Sequence, residues 1–197
     1  MKHNINIFCN NERVGIIEID LNSNNVELIY DENWKNIGFE LSPHIKFNES
    51  IDSNSIKKFV NNLLPEGNGL DAISIILQIS KANKFGLLEA IGNETAGALT
   101  FSPDNIIVTN FREISNEELT ERIMNKDNIN ITLWDGKIRL SLSGVQDKLP
   151  LVVLKDNKYG IGEGKIASTH ILKFEKKDDI HLVLNEYICM KLVKLCG

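Results

Sequence analysis

Residues 141–154 read SLSGVQDKLPLVVL, a polar, glycine-bearing turn that runs straight into an apolar strand. Ser141, Ser143, Gly144 and Lys148 supply two hydroxyls, a residue without Cβ and a cation. Such groups at a strand–turn–strand tip can wrap a phosphate. The same composition also suits a plain surface turn, and spacing alone leaves both readings open. Strand patterns flank the tip. Upstream, ITLW-Asp135-Gly136-KIRLSL alternates about an Asp-Gly pair that supports a type I′ turn, so a hairpin is expected. Downstream, KLPLVVL turns at Asp156-Asn157 into KYGIG, and STHILKF (168–174) is a further strand. The last segment, 178–196, reads as a helix, with Asp178 and Asp179 at its start and Lys191 and Lys194 near its end, as the helix dipole favours.

Further upstream the pattern changes twice. INIF, RVGIIEID and NVELIY alternate over the first 30 residues, with Asn10-Asn11 and Asn22–Asn25 between them, and predict a β-meander. A loop is expected around Trp34 and Leu41-Ser42-Pro43. Ile56, Phe59, Val60, Leu63 and Leu64 then mark one apolar stripe at helical spacing, ended by Pro65 and Gly67. Helical character returns at 70–81 and 85–91, and the strands ALTF and NIIVTN follow. Ser115 with Glu118 forms a capping box ahead of the helix NEELTERIM. The order β, α, β, final α predicts an α+β protein of two lobes, an N-terminal β-meander or small barrel with helices (1–110) and a second β-rich lobe (111–197).

Composition bounds the function classes. The 197 residues are 42% hydrophobic and 25% charged, ordinary globular values. A net charge of −5 offers no basic field for nucleic acid, so no direct nucleic-acid contact is expected. Cys9, Cys189 and Cys196 form no CxxC, and Cys189 and Cys196, seven apart on a helix, are expected to be packing thiols. No apolar run reaches membrane-spanning length and no signal peptide opens the chain, so a soluble cytoplasmic protein without membrane contact is expected.

Lys173 stands inside an apolar strand, either as an edge residue facing solvent or as a deliberate interior cation. Glu186 follows 13 residues later on the terminal helix. Kinase N-lobes use this set: a loop over the phosphates, a strand lysine on them, and a helix glutamate that holds the lysine. Two solvated charges are the plain alternative. Other patterns fail as sites. Gly160-Ile-Gly162-Glu-Gly164-Lys165 lacks the Gly at 159 and the Ser or Thr at 166 that a Walker loop needs, and it reads as a glycine-rich turn. The four histidines have no metal spacing, and no metal ligand set is expected. Trp34 and Trp134 suit core or hairpin anchors.

These residues also resemble a known family. SLSGVQDKLPLVVL is similar to the SLAGxQDKL loop of HipA-type toxin kinases of type II toxin–antitoxin systems. STHILKF and LNEYICMKL resemble that family's STHILK and NEY segments, in order and at matching spacing. NLLPEG (62–67) and LLEAIGNETAGALTF (87–101) resemble its N-terminal module. The resemblance implies a serine/threonine protein kinase that uses ATP and magnesium and phosphorylates an aminoacyl-tRNA synthetase, glutamyl-tRNA synthetase foremost. It implies a HipB-like DNA-binding antitoxin as partner. By position, Ser143, Gly144, Val145, Gln146, Asp147 and Lys148 match the ATP-phosphate loop, Lys173 the ATP-contacting lysine and Glu186 the acidic helix residue. Ser141 matches the autophosphorylated loop serine. Ser143 replaces the usual small residue and is a second candidate phosphosite. On this reading 1–110 is the N-terminal module and 111–197 a kinase N-lobe truncated before the catalytic lobe. The catalytic-loop aspartate and asparagine and the magnesium-binding aspartate have no match in the chain. No catalytic residue is therefore assigned, and the chain alone is expected to be inactive. It is expected to be an excised portion, a truncated product, or half of a split kinase whose C-lobe is a separate chain. The alternative is a stand-alone regulator that docks on a kinase in trans.

Overall fold

Three runs of alternating Ile and Val set the first sheet. β1 (Lys2–Cys9), β2 (Glu12–Asp20) and β3 (Asn25–Tyr30) form the antiparallel meander, and β4 (Leu99–Ser102) pairs with the free side of β1, giving the order β3-β2-β1-β4. Asn10 and Asn24 take left-handed φ values of 55° in the two turns, a conformation asparagine tolerates better than most residues. The computed structural model describes residues 2–10, 12–92, 94–95, 97–105, 109–129, 133–135, 137–139, 148–156, 158–164, 166–175 and 181–197.

The helices follow the apolar stripes, with shifts at their ends. α2 (Ser53–Leu63) starts three residues before the first stripe residue because Asp52 caps it, accepting from the Ser55 N–H. It buries Ile56 and Val60 beside β3. α3 (Gly67–Leu77) begins at the glycine expected to end α2, and α4 (Lys84–Ala90) buries Leu87 and Leu88. The expected loop around Trp34 is instead a short helix, α1 (Glu32–Ile37). Asp31 caps it, and Trp34, its one buried residue, donates from Nε1 to the Phe39 carbonyl at 3.0 Å. Gly38 lies against the Trp34 ring so closely that a Cβ there would stand 2.2 Å from it.

The chain divides into two compact units, the first formed mainly by residues up to Asn110 and the second mainly by residues from Phe111 on. In the second, Ser115 accepts from the Glu118 N–H at 3.1 Å and opens α5 (Asn116–Met124), the capping read from sequence. The Asp-Gly hairpin is β6 (Leu133–Trp134) with β7 (Lys137–Ile138), and Asp135 takes a φ of 51° in its turn. β5 (Asn110–Ile114), β8 (Lys148–Val153), β9 (Tyr159–Glu163) and β10 (His170–Lys173) form a sheet in the order β10-β8-β9-β5. The strand read at 105–110 falls partly on residues outside those described, and β5 begins at its last residue. The expected glycine-rich turn is also corrected. Gly160 and Gly162 lie inside β9, where a Cβ on Gly160 would meet the Arg112 carbonyl oxygen at 2.5 Å and the Phe111 ring. Glycine is there for close strand contact, and the turn comes at Gly164.

Ile114, Trp134, Leu149, Leu151, Ile161 and Phe174 form this unit's core. The Arg122 guanidinium lies 3.8 Å over the Trp134 ring and donates to the Leu133 carbonyl at 2.7 Å, fixing the hairpin against α5. α6 (Leu182–Cys196) closes the chain and buries no residue. Cys189 and Cys196 are therefore exposed, contrary to their expected packing role, while Cys9 is buried in β1. Among the described residues no helix is long and apolar enough to cross a membrane.

Candidate functional site

The site begins with the pairing of β8 and β10. KLPLVV and HILK run antiparallel with Leu172 opposite Leu149 and Lys173 opposite Lys148. Directly opposed residues share a face, so both lysines stand side by side at the end of the sheet where residues 141–147 lead into β8. Like charges directly opposed disfavour each other, and an anionic group at either lysine offsets this.

α6 supplies the counter-charge. Glu186 Oε1 accepts a hydrogen bond from Lys173 Nζ, and both side chains stay partly exposed. The helix is aimed at its N-terminus by Glu175, two residues beyond Lys173, whose carboxylate accepts from the Val183 N–H at 3.2 Å. His181 stands at the cap position with a φ of 71° and no capping bond from its side chain, so Glu175 takes the role a capping residue ordinarily holds. α6 is thus attached through these polar contacts beside a cleft of about 510 Å3. Leu172 and Lys173 line that cleft from β10, Leu184 and Tyr187 from α6, Ile123 from α5, and Lys126 from the turn that follows α5.

Of the residues singled out from sequence, the structure brings Lys148, Lys173 and Glu186 together. Ser141, Ser143, Gly144, Val145, Gln146 and Asp147 lie outside the described residues. Lys173 lies on the edge strand β10 and is partly exposed, neither an interior cation nor wholly solvated, because Glu186 pairs with it. His170 is exposed, with Nδ1 2.9 Å from Thr169 Oγ1. Trp134 is fully buried and Trp34 nearly so, as anchors should be. Sequence reading missed Glu175, whose signal was an acidic residue just ahead of the last helix. It also missed the Lys148–Lys173 register. Among the described residues no group of three or more His, Cys, Asp or Glu could hold a metal ion.

Residues 5–102 match the family described as HipA N-terminal domain. The serine/threonine-protein kinase toxin HipA of Shewanella oneidensis is 41% identical over 186 residues, which are 93% of this chain and 42% of that protein. The Sinorhizobium fredii protein Y4mE is 30% identical over 133 residues, 64% of this chain and 31% of its own length. The solved complex of Shewanella oneidensis HipA, HipB and operator DNA contains a chain that superposes with a TM-score of 0.77 at 40% identity, covering 96% of this chain and 44% of that one. The chain spans less than half the length of these relatives.

Proposed function

Since the chain belongs to the HipA-type toxin kinase family and corresponds to its N-terminal region, we propose that it supplies the ATP-phosphate side of a serine/threonine protein kinase. Residues 1–110 are the N-terminal module and 111–197 the kinase N-lobe. One observation carries the reading: Lys148, the residue that follows 141–147 in sequence, is the cross-strand neighbour of Lys173, and Glu186 holds Lys173. Backbone N–H groups of Ser143–Asp147 cover the phosphates, the two ammoniums bind phosphate oxygens, and Glu186 orients Lys173. Magnesium, when bound, neutralises charge on the transferring phosphoryl group, and its ligands come from outside the described residues.

Ser141 and Ser143 are the autophosphorylation sites. A phosphate there adds about −1.5 to −2 charges where ATP phosphates belong, which expels the loop and silences the kinase. The substrate is an aminoacyl-tRNA synthetase and the partner a HipB-like DNA-binding antitoxin, a pairing supported by the relative whose solved complex holds HipA with HipB. The exposed apolar side chains of α6, among them Leu184, Tyr187 and Leu195, suit cover by a catalytic C-lobe, on the same polypeptide or on a separate chain.

An acyl-phosphate derivative of ATP, which acylates lysines beside the bound phosphates, tests this. Modification should concentrate on Lys148 and Lys173 and fall when excess ATP competes. Labelling spread evenly over surface lysines, or indifferent to ATP, would overturn the assignment.

A further inference from the structure

β3 is an edge strand, and its backbone phase leaves one row of polar groups pointing away from the sheet. The Asp31 N–H donates inward to the Val14 carbonyl at 2.9 Å. Antiparallel ladders repeat in steps of two, so Ile29, Glu27 and Asn25 face β2, while Tyr30, Leu28 and Val26 face outward. The Val26 N–H obeys this phase, donating to Ser53 Oγ at 3.1 Å. The outward groups of Leu28 then open into a groove of about 410 Å3 between β3 and residues 47–53. Among the described residues, one hydrogen bond and one ring contact span the groove, each near an end. Ser53 closes one, and the Tyr30–Phe47 ring contact, with centroids 4.8 Å apart, closes the other. Folded proteins ordinarily cover or blunt such an edge along its length.

Charge defines what fits. Residues 1–110 carry 14 Asp and Glu against 8 Lys and Arg. Glu49 on the facing wall of the groove is paired with Lys46, and Lys35, which also lines it, with Glu32, whereas Glu27, exposed on β3, is a groove carboxylate outside these pairs. We propose that the β3 edge binds an extended, basic peptide segment of a partner protein by strand addition, with backbone bonds to Leu28 and a lysine or arginine beside Glu27. Pairing of two copies through β3 is disfavoured, because it would bring the Glu27 carboxylates of both close together.

Titration of the isotope-labelled chain with a capped eight-residue peptide of alternating lysine and valine tests the site by NMR. The Leu28 and Tyr30 amides should shift saturably, and the Leu28 amide should exchange more slowly with solvent. N-methylation at alternate residues should weaken binding tenfold or more in one of the two frames and not in the other. Glu27→Lys should weaken the lysine peptide several-fold and favour its glutamate counterpart. No saturable binding, equal loss in both frames, or shifts centred away from β3 would overturn the proposal. So would protection of Leu28 that rises with chain concentration in the absence of peptide, the mark of a second copy.

Discussion

Replacing Glu175 with alanine should loosen α6 without unfolding the unit it borders. The helix has 15 residues, a length at which an isolated helix in water is marginal, and none of them is buried. The bond from the Val183 N–H to Glu175 and the Lys173–Glu186 pair are two of the contacts that place it. Loss of a capping acceptor costs about 1 kcal/mol, and a partly exposed ion pair contributes at most about that much. A loss of ~1 kcal/mol raises the opening equilibrium of the first helical turns roughly fivefold. Amide hydrogen exchange at Val183–Tyr187 should accelerate by that factor in Glu175→Ala, while the core amides of Leu149 and Leu151 keep their rates. Adding Glu186→Gln should accelerate it further by less than another fivefold. Unchanged exchange in the single variant would mean that α6 is held by something other than its N-terminal bond. Faster exchange at Leu149 as well would mean that the helix belongs to the core.

Three further outcomes are expected. Ser141→Asp should sharply reduce ATP-competable acylation of Lys148 and Lys173, while Ser141→Ala leaves it near the parent level; equal labelling in both would remove the phosphoserine switch. Gly160→Ala should lower stability by about 1–3 kcal/mol, since its Cβ would meet the Arg112 carbonyl at 2.5 Å and backbone cannot yield cheaply; an unchanged thermal midpoint would refute the close contact. Burial pushes the Cys9 thiol above its ordinary pKa, so at mildly alkaline pH iodoacetamide should alkylate the exposed Cys189 and Cys196 and reach Cys9 only after denaturant is added. Rapid triple alkylation of the folded chain would contradict the buried placement.

Local signals carried most of the fold. The stripe from Ile56 to Leu64, the Ser115 cap and the Asp135 turn each involve neighbours within a few residues, and each appears where its chemistry puts it. α1 was hidden because six residues show less than two helical turns, and only Trp34 among them faces the core. Gly160 and Gly162 read as turn residues because glycine usually marks turns, whereas the close approach of Phe111 and Arg112 that requires Gly160 is a tertiary fact. The candidate site divides in the same way. Lys173 and Glu186 could be singled out by type and spacing, but the opposition of Lys148 and Lys173 depends on strand register, which no short stretch of sequence states. The apolar residues of α6 carry a related lesson: Leu182, Val183, Met190 and Val193 are all exposed, so their apolar character speaks of a surface rather than of this unit's own core.

The central claim is that Lys148 and Lys173 receive nucleotide phosphates, and an NMR titration of the chain with magnesium ATP addresses it most directly. One wall of a cleft buries little of a ligand, so binding should be weak, on the order of millimolar. The expected result is a saturable shift concentrated at Lys148, Lys173 and their strand neighbours, lost in Lys173→Met while the rest of the spectrum, and so the fold, is kept. Shifts centred elsewhere, or a titration that Lys173→Met leaves unchanged, would contradict it.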